Sequence, residues 1–200
     1  MIDYRQTIRA QRKALSREAV LSASLAVTRF VVQLPAFQAC QHLGYYLSHE
    51  NEIDPSDIIW RAQQLKKQIY LPIFSDDHTL AFYAIHDKTK FKKNRFGILE
   101  PMITRASVTP LQLDCILIPV VAFDAACHRI GRGAGCYDRY LSQTKNATLI
   151  GLAYEFQKRG NIIPEKWDIA MDYVVTEKEV ISNQGSGISN QATPAKSPLL

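Results

Sequence analysis

The chain has 200 residues, 46% apolar and 22% charged, with a formal net charge of +5, the make-up of a globular domain large enough to bury one core. No apolar run approaches the roughly 20 residues of a membrane span. No long Lys/Arg run marks a nucleic-acid patch, and Cys40, Cys115, Cys127 and Cys136 form no C-x-x-C pair, so membrane, nucleic-acid and zinc functions have no support. The positive balance suits an acidic small molecule, and free thiols without a signal-peptide pattern point to the cytoplasm.

In chain order, residues 3–15 read as a basic helix carrying Arg5, Arg9 and Arg12. Ser16 is placed to cap a second helix over 17–33, with a broad apolar stripe through Val20, Leu21, Ala23, Leu25, Val27, Phe30, Val31 and Leu34, ended by Pro35. A strand follows over 42–48, and Asp54-Pro55 opens a helix to about 67. Strands are expected over 68–74 and, at an edge, 80–85, before a basic loop over 86–110. The most continuously apolar segment, 113–121, reads as a central strand buried on both faces. Strands over 148–154 and 172–176 complete the pattern. Alternating strands and helices predict a single α/β domain over 1–181: a mostly parallel, Rossmann-like sheet in three layers. From 182 to 200 the chain is rich in Ser, Gln, Asn, Pro and Gly without aromatics, which reads as a flexible tail.

The most informative stretch is IGRGAGCYDRYL, 130–141. Glycines recur at 131, 133 and 135, with Arg129 and Arg132 beside and between them. After a buried strand and before a helix start, this reads as a loop that turns amide N–H groups toward one point, with guanidiniums adding charge and forked donors. A polyphosphate fits that combination, and Asp138 is placed to hold its metal ion. The spacing matches neither the dinucleotide nor the P-loop fingerprint, so from the loop alone phosphate binding and a plain tight turn stay open.

Several blocks extend this reading: YYLSHENEID at 45–54, IYLPIF at 69–74, FGILEP at 96–101, LDCILIPVVAFD at 113–124, RIGRGAGCYDRYL at 129–141, IGLAYEFQ at 150–157 and IPEKWDIAMDYVVT at 163–176. In this order the chain resembles the 5-formyltetrahydrofolate cyclo-ligase family, also called methenyltetrahydrofolate synthetases. The resemblance implies ATP- and Mg²⁺-dependent closure of 5-formyltetrahydrofolate, with or without a polyglutamate tail, to 5,10-methenyltetrahydrofolate, releasing ADP and phosphate. The implied ATP contacts are Arg5, Arg9, Arg129, Gly131, Arg132, Gly133, Ala134, Gly135, Cys136 and Tyr137. For the folate they are Leu47, Glu52, Phe123, Tyr137 and Tyr154, with Glu52 accepting N–H bonds from the pterin. Asp138 and Asp168 are the implied metal carboxylates. A monomer with no nucleic-acid or membrane partner is expected. Pattern alone would make Leu47, Phe123 and Tyr154 sheet core, Glu52 an exposed loop acid, Arg5 and Arg9 a solvated helix face, Asp138 a first-turn helix acid and Asp168 a turn residue. Three positions depart from the family's habit: Cys136 replaces an aromatic, Cys127 a glycine and Gln6 a lysine. The alternatives are another glycine-loop enzyme on a parallel sheet and a paralogue that binds ATP or folate without turnover.

Overall fold

The computed structural model describes residues 4–75, 79–86, 88–93, 99–102, 112–144 and 146–183. Of the tail expected from 182, residues 184–200 lie outside the described residues and Ser182 belongs to a strand; residues 87, 94–98 and 103–110 of the basic loop also lie outside them.

Strand β6 (Cys115–Pro119) sits at the centre of a seven-stranded sheet. It pairs in parallel with β1 (His42–Gly44) on one side and β9 (Thr148–Leu152) on the other. Next to β1 runs β2 (Gln68–Phe74), and next to β9 runs β10 (Tyr173–Val175), both parallel. The sheet is closed by antiparallel edges, β3 (Leu80–Ala84) on β2 and β11 (Val180–Ser182) on β10. The fold class is thus the one expected. The last strand is not: β11 follows the strand read as final and pairs back as an edge, with Asn183 N–H bonded to the Asp172 carbonyl at 2.9 Å.

Alternation along β6 builds two cores. Cys115 and Leu117 face one layer and Ile116 and Ile118 the other, all without exposed surface. The first layer is covered by α2 (Arg17–Val31), α3 (Pro35–Ala39) and α4 (Ser56–Gln64), which bring Val27, Phe37 and Ile58. The second is covered by Phe123, Met171 and the short α5 (Cys136–Leu141) with Tyr140 and Leu141. Helix α1 (Tyr4–Lys13) buries only Ile8 and Arg12.

Local chemistry explains most boundaries. The Ser16 hydroxyl accepts the Ala19 N–H at 3.2 Å and starts α2. The α2 stripe is narrower than expected: Ala23, Val27 and Val31 are buried four residues apart, whereas Leu21 is 56% exposed and Leu25 39%. Only one layer packs on α2, so a helix face of that width suffices. Pro35 does more than end α2: it supplies the first turn of α3. The Asp54 carboxylate takes both the N–H and the hydroxyl of Ser56 ahead of α4. Within the basic loop, β4 (Phe91–Lys93) and β5 (Leu99–Pro101) form an antiparallel pair that the sequence did not suggest. Between β6 and the glycine loop lies another unexpected hairpin, β7 (Ala122–Phe123) with β8 (Arg129–Ile130).

The two cores touch the sheet backbone closely. A Cβ on Gly151 would lie 2.9 Å from Val120 Cγ2, so Gly151→Ala should destabilise the fold by ~1–3 kcal/mol through overpacking. Gly160 has open space around it, with nothing within 4 Å of where a Cβ would stand, and should accept Ala within ~0.5 kcal/mol. Denaturant unfolding of the two variants checks the contrast.

Candidate active site at the glycine–arginine loop

The parallel strands point their carboxyl ends to one edge of the sheet, where ligands gather in such folds. The segments after β1, β8 and β9 meet α1 there.

In the glycine loop, Gly133 has φ +105° and Gly135 has φ +64°, conformations an L side chain adopts only under strain. Guanidiniums face both positions: Arg5 Nε lies 3.5 Å from a Cβ placed on Gly133, and Arg139 Nη1 lies 3.1 Å from one on Gly135. The Arg5 Nε–H donates to the Gly131 carbonyl at 2.9 Å, and Arg139 Nη2–H to the Ala134 carbonyl at 2.9 Å. Among the described residues, the amide N–H groups of Gly133, Ala134 and Gly135 have no acceptor within the protein. The loop therefore offers free amides and is ringed by Arg5, Arg132 and Arg139. Helix α5 has six residues, so the helix field expected from the sequence is small, and the guanidiniums supply the charge. Cys136 begins that helix, half-buried against the second core.

Arg129, almost wholly buried, faces the start of α5. Its Nη2–H donates to Asp138 Oδ1 at 2.5 Å and its Nη1–H to the Ile169 carbonyl. The Ile169 N–H also reaches Asp138 Oδ1, at 3.2 Å. Asp138 is thus more than a first-turn helix acid: it latches the 165–169 turn to the glycine loop. Asp168 sits in that turn, its Oδ2 accepting the Glu165 N–H at 2.8 Å.

Glu52 is the buried charge at the centre. It is 5% exposed. Its Oε1 accepts from Arg12 Nη1 at 3.2 Å and from Arg132 Nη2 at 2.8 Å, and its Oε2 accepts the His49 N–H at 3.2 Å. The turn that presents Glu52 is strained. Glu50 and Asn51 have φ +50° and +55°, a cost of ~1–3 kcal/mol each for non-glycine residues. Long-range bonds hold it. The Asn51 side-chain amide donates to the Arg12 carbonyl at 2.9 Å, and the Tyr154 hydroxyl donates to the Asn51 carbonyl at 3.0 Å. The Arg9 Nε–H bond to Glu50 is 2.6 Å, and through that bond Arg9 brings the Glu50 carboxyl down to about 2.

The expected folate residues divide. Leu47 is half-buried and lines a cleft of about 360 Å³ beside Tyr46, His49 and Lys93. Tyr137 is half-buried, edge-on to Phe74 at 6.1 Å. Burial first, then the nearby Glu52 carboxylate, raises its phenol well above the usual range. Phe123 has no exposed surface and belongs to the second core. Tyr154 is buried, stacked on Phe156 at 5.2 Å, with its hydroxyl committed to Asn51 and its phenol pushed by burial up to about 12. For these two, the pattern reading of sheet core describes their place. Arg9 sits at Glu50 and not over the glycine loop.

Reading the sequence missed Arg12, Asn51 and Arg139. Arg12 had a signal: Arg5, Arg9 and Arg12 recur at i, i+4 and i+7, one face of α1. Asn51 and Arg139 had none, since their roles come from long-range contacts and a side chain folding back. Cys127, where the resemblance implies a glycine, has φ +60°, a conformation glycine adopts without strain. Here a buried thiol, raised by burial to about 11, occupies the strained position.

The fold and site define a class: a mostly parallel α/β domain with a guanidinium-ringed glycine loop at the carboxyl end of its sheet. Comparison with known proteins narrows the class. The model of the 5-formyltetrahydrofolate cyclo-ligase family matches residues 2–177, and the chain belongs to that family of enzymes. It is 34% identical over 169 residues to the 5-formyltetrahydrofolate cyclo-ligase of Haemophilus influenzae, covering 82% of this chain and 89% of the relative. With the Escherichia coli K12 protein of the same name, identity is 33% over 180 residues, covering 86% and 98%. The 5,10-methenyltetrahydrofolate synthetase of Aquifex aeolicus superposes with a TM-score of 0.80 at 30% identity, covering 95% of each chain. For the Mycoplasma pneumoniae synthetase the score is 0.72 at 26% identity, covering 88% and 100%. Among the described residues, no helix is long and apolar enough to cross a membrane.

The two arginines on Glu52 differ in burial, with side chains 5% exposed for Arg12 and 48% for Arg132. Arg12→Ala should cost ~3–5 kcal/mol, because it strips a buried carboxylate of its interior partner. Arg132→Ala should cost less than ~1 kcal/mol. Chemical denaturation of both variants tests this ranking.

Proposed function

We propose that this protein uses Mg·ATP to cyclise 5-formyltetrahydrofolate to 5,10-methenyltetrahydrofolate. The observation that carries the reading is the loop 131–135, with unused amide N–H groups and a ring of guanidiniums, next to a buried carboxylate and a cleft. Family membership supplies the reaction class, and the site supplies a reason that this chain performs it.

In the proposed reaction the formyl oxygen attacks the γ-phosphorus and ADP leaves. The oxygen, a poor leaving group on the amide, becomes a phosphate ester on an activated carbon. N10 attacks that carbon, its proton is lost, and inorganic phosphate departs. Catalysis of this kind consists of positioning two reactants and neutralising phosphate charge.

The residues divide the work. The amides of Gly131, Gly133, Ala134 and Gly135, with those of Cys136 and Tyr137, take phosphate oxygens, as backbone nests do. Arg5, Arg132 and Arg139 add charge-assisted bonds. Arg129 orients Asp138, and Arg9 reaches the nucleotide only on leaving Glu50. On the folate side, Glu52 accepts N–H bonds from the pterin, Leu47 and Tyr137 line the slot, and Phe123 and Tyr154 back it from the core.

Mg²⁺ fits the acidic residues present. The Ile169–Asp138 bond brings the segments bearing Asp138 and Asp168 together. Among the described residues no third His, Cys, Asp or Glu joins them, leaving water and phosphate oxygens to fill the shell, as Mg²⁺ prefers. Bound there, the ion would neutralise phosphate charge. We further propose that the chain acts as a cytoplasmic monomer on mono- or polyglutamyl folate, without nucleic acid or membrane.

The test is growth of methenyl absorbance on adding 5-formyltetrahydrofolate, with and without ATP and Mg²⁺. Product is expected only with both. Ligand binding without product under saturating conditions would replace the enzyme with a binding protein. Asp168→Asn sharpens the metal assignment, because the amide oxygen can still accept the Glu165 N–H. Its melting temperature should stay near that of the wild type while half-saturation by Mg²⁺ rises about tenfold or more. An unchanged Mg²⁺ titration would leave Asp168 a turn residue.

A further inference from the structure

We infer that the Arg132–Glu52 ion pair couples the nucleotide and folate sites, so that nucleotide binding frees Glu52 for the pterin and tightens folate binding. This rests on the proposed assignment of both ligands to this site.

Glu52 is already occupied by groups of the protein itself. Two guanidinium donors converge on Oε1 and the His49 amide holds Oε2. With Arg132 in place, Oε1 has no acceptor direction left for a ligand, since each carboxylate oxygen serves about two donors. A pterin edge that donates N–H bonds to both oxygens of Glu52 therefore competes with Arg132.

The two arginines are unequal partners. Arg12 is buried on α1 and cannot leave without dragging the helix. Arg132 is half-exposed and rides between Gly131 and Gly133, which carry no side chain to hold the backbone. A triphosphate at the loop carries several negative charges against the single charge of Glu52, so it draws Arg132 toward the phosphates.

Arg12 shows that a second arrangement is available. Among the described residues its Nε is buried without a hydrogen-bond partner, and it holds Glu52 through Nη1. A guanidinium facing a carboxylate ordinarily engages it with two N–H groups. Once Arg132 departs, Arg12, with its Nε in reserve, keeps the carboxylate charged and oriented through Nη1, and with the His49 amide still on Oε2 each oxygen exposes one acceptor direction.

Isothermal titration calorimetry tests this with 5-formyltetrahydrofolate and β,γ-methylene-ATP plus Mg²⁺, which blocks turnover. In the wild type the analogue should tighten folate binding about fivefold or more, and folate should tighten the analogue by the same factor, as linkage requires. Arg132→Gln should bind folate without nucleotide as tightly as the wild type does with it, and the coupling factor should fall to about one. A residue that serves only the phosphates or the fold would not improve folate binding when removed. Equal folate affinity with and without analogue in the wild type would overturn the inference, as would weaker folate binding by a folded Arg132→Gln variant. Absence of binding by either ligand would overturn the functional reading, and the coupling with it.

Discussion

Strand β6 has no exposed face and parallel neighbours on both sides, and the location of the site follows from that. A parallel strand cannot turn straight back into its neighbour; it must cross over through another element. The segments leaving β1 and β9, and the hairpin and loop that follow β6, therefore emerge at the same edge. The strained turn before Glu52, the glycine loop and the Tyr154 segment come from distant parts of the chain, yet they lie within hydrogen-bonding distance of one another.

At that edge the organising force changes from apolar burial to charge. Helix α1 buries one aliphatic side chain, Ile8, and is otherwise held by Arg5 on Gly131, Arg9 on Glu50, Arg12 on Glu52 and the ring of Tyr4 beneath Arg159. A ten-residue helix is marginal by itself. Its docking depends on contacts that an anionic ligand can also make. The same guanidiniums thus hold the site together and suit phosphate.

Strain enters the same region. Of the four non-glycine residues in left-handed conformations among the described residues, Glu50 and Asn51 lie at the site, while Lys66 follows α4 and Cys127 lies in the β7–β8 hairpin; Gly133 and Gly135 adopt positive φ in the glycine loop. The surrounding bonds over-determine the conformations at the site, a pattern expected where function requires a geometry the chain would not choose. Asn51 shows the device clearly: its side chain, by binding carbonyls at the end of α1, fixes the turn that aims Glu52.

The mostly parallel α/β class, the capped α2, the full extent of β2 and the central place of β6 were legible in local sequence, because periodicity and capping are local. The ordered blocks from 45 to 176 also carried the family. The two extra hairpins and β11 were not legible: strands of two or three residues have too little periodicity to read, and an antiparallel edge owes its existence to a partner elsewhere. The site divides the same way. The sequence by itself determined which chemical groups are present: the glycines whose backbone must be bare, the arginines, and the acids at 52, 138 and 168. Only the tertiary structure decided their pairing, placing Arg12 and Arg132 on one carboxylate, Arg9 on Glu50 and Arg129 on Asp138. Charge partners and burial depend on which segments the sheet brings to its edge, and residues 40 or 80 apart in the chain leave no local trace of meeting there.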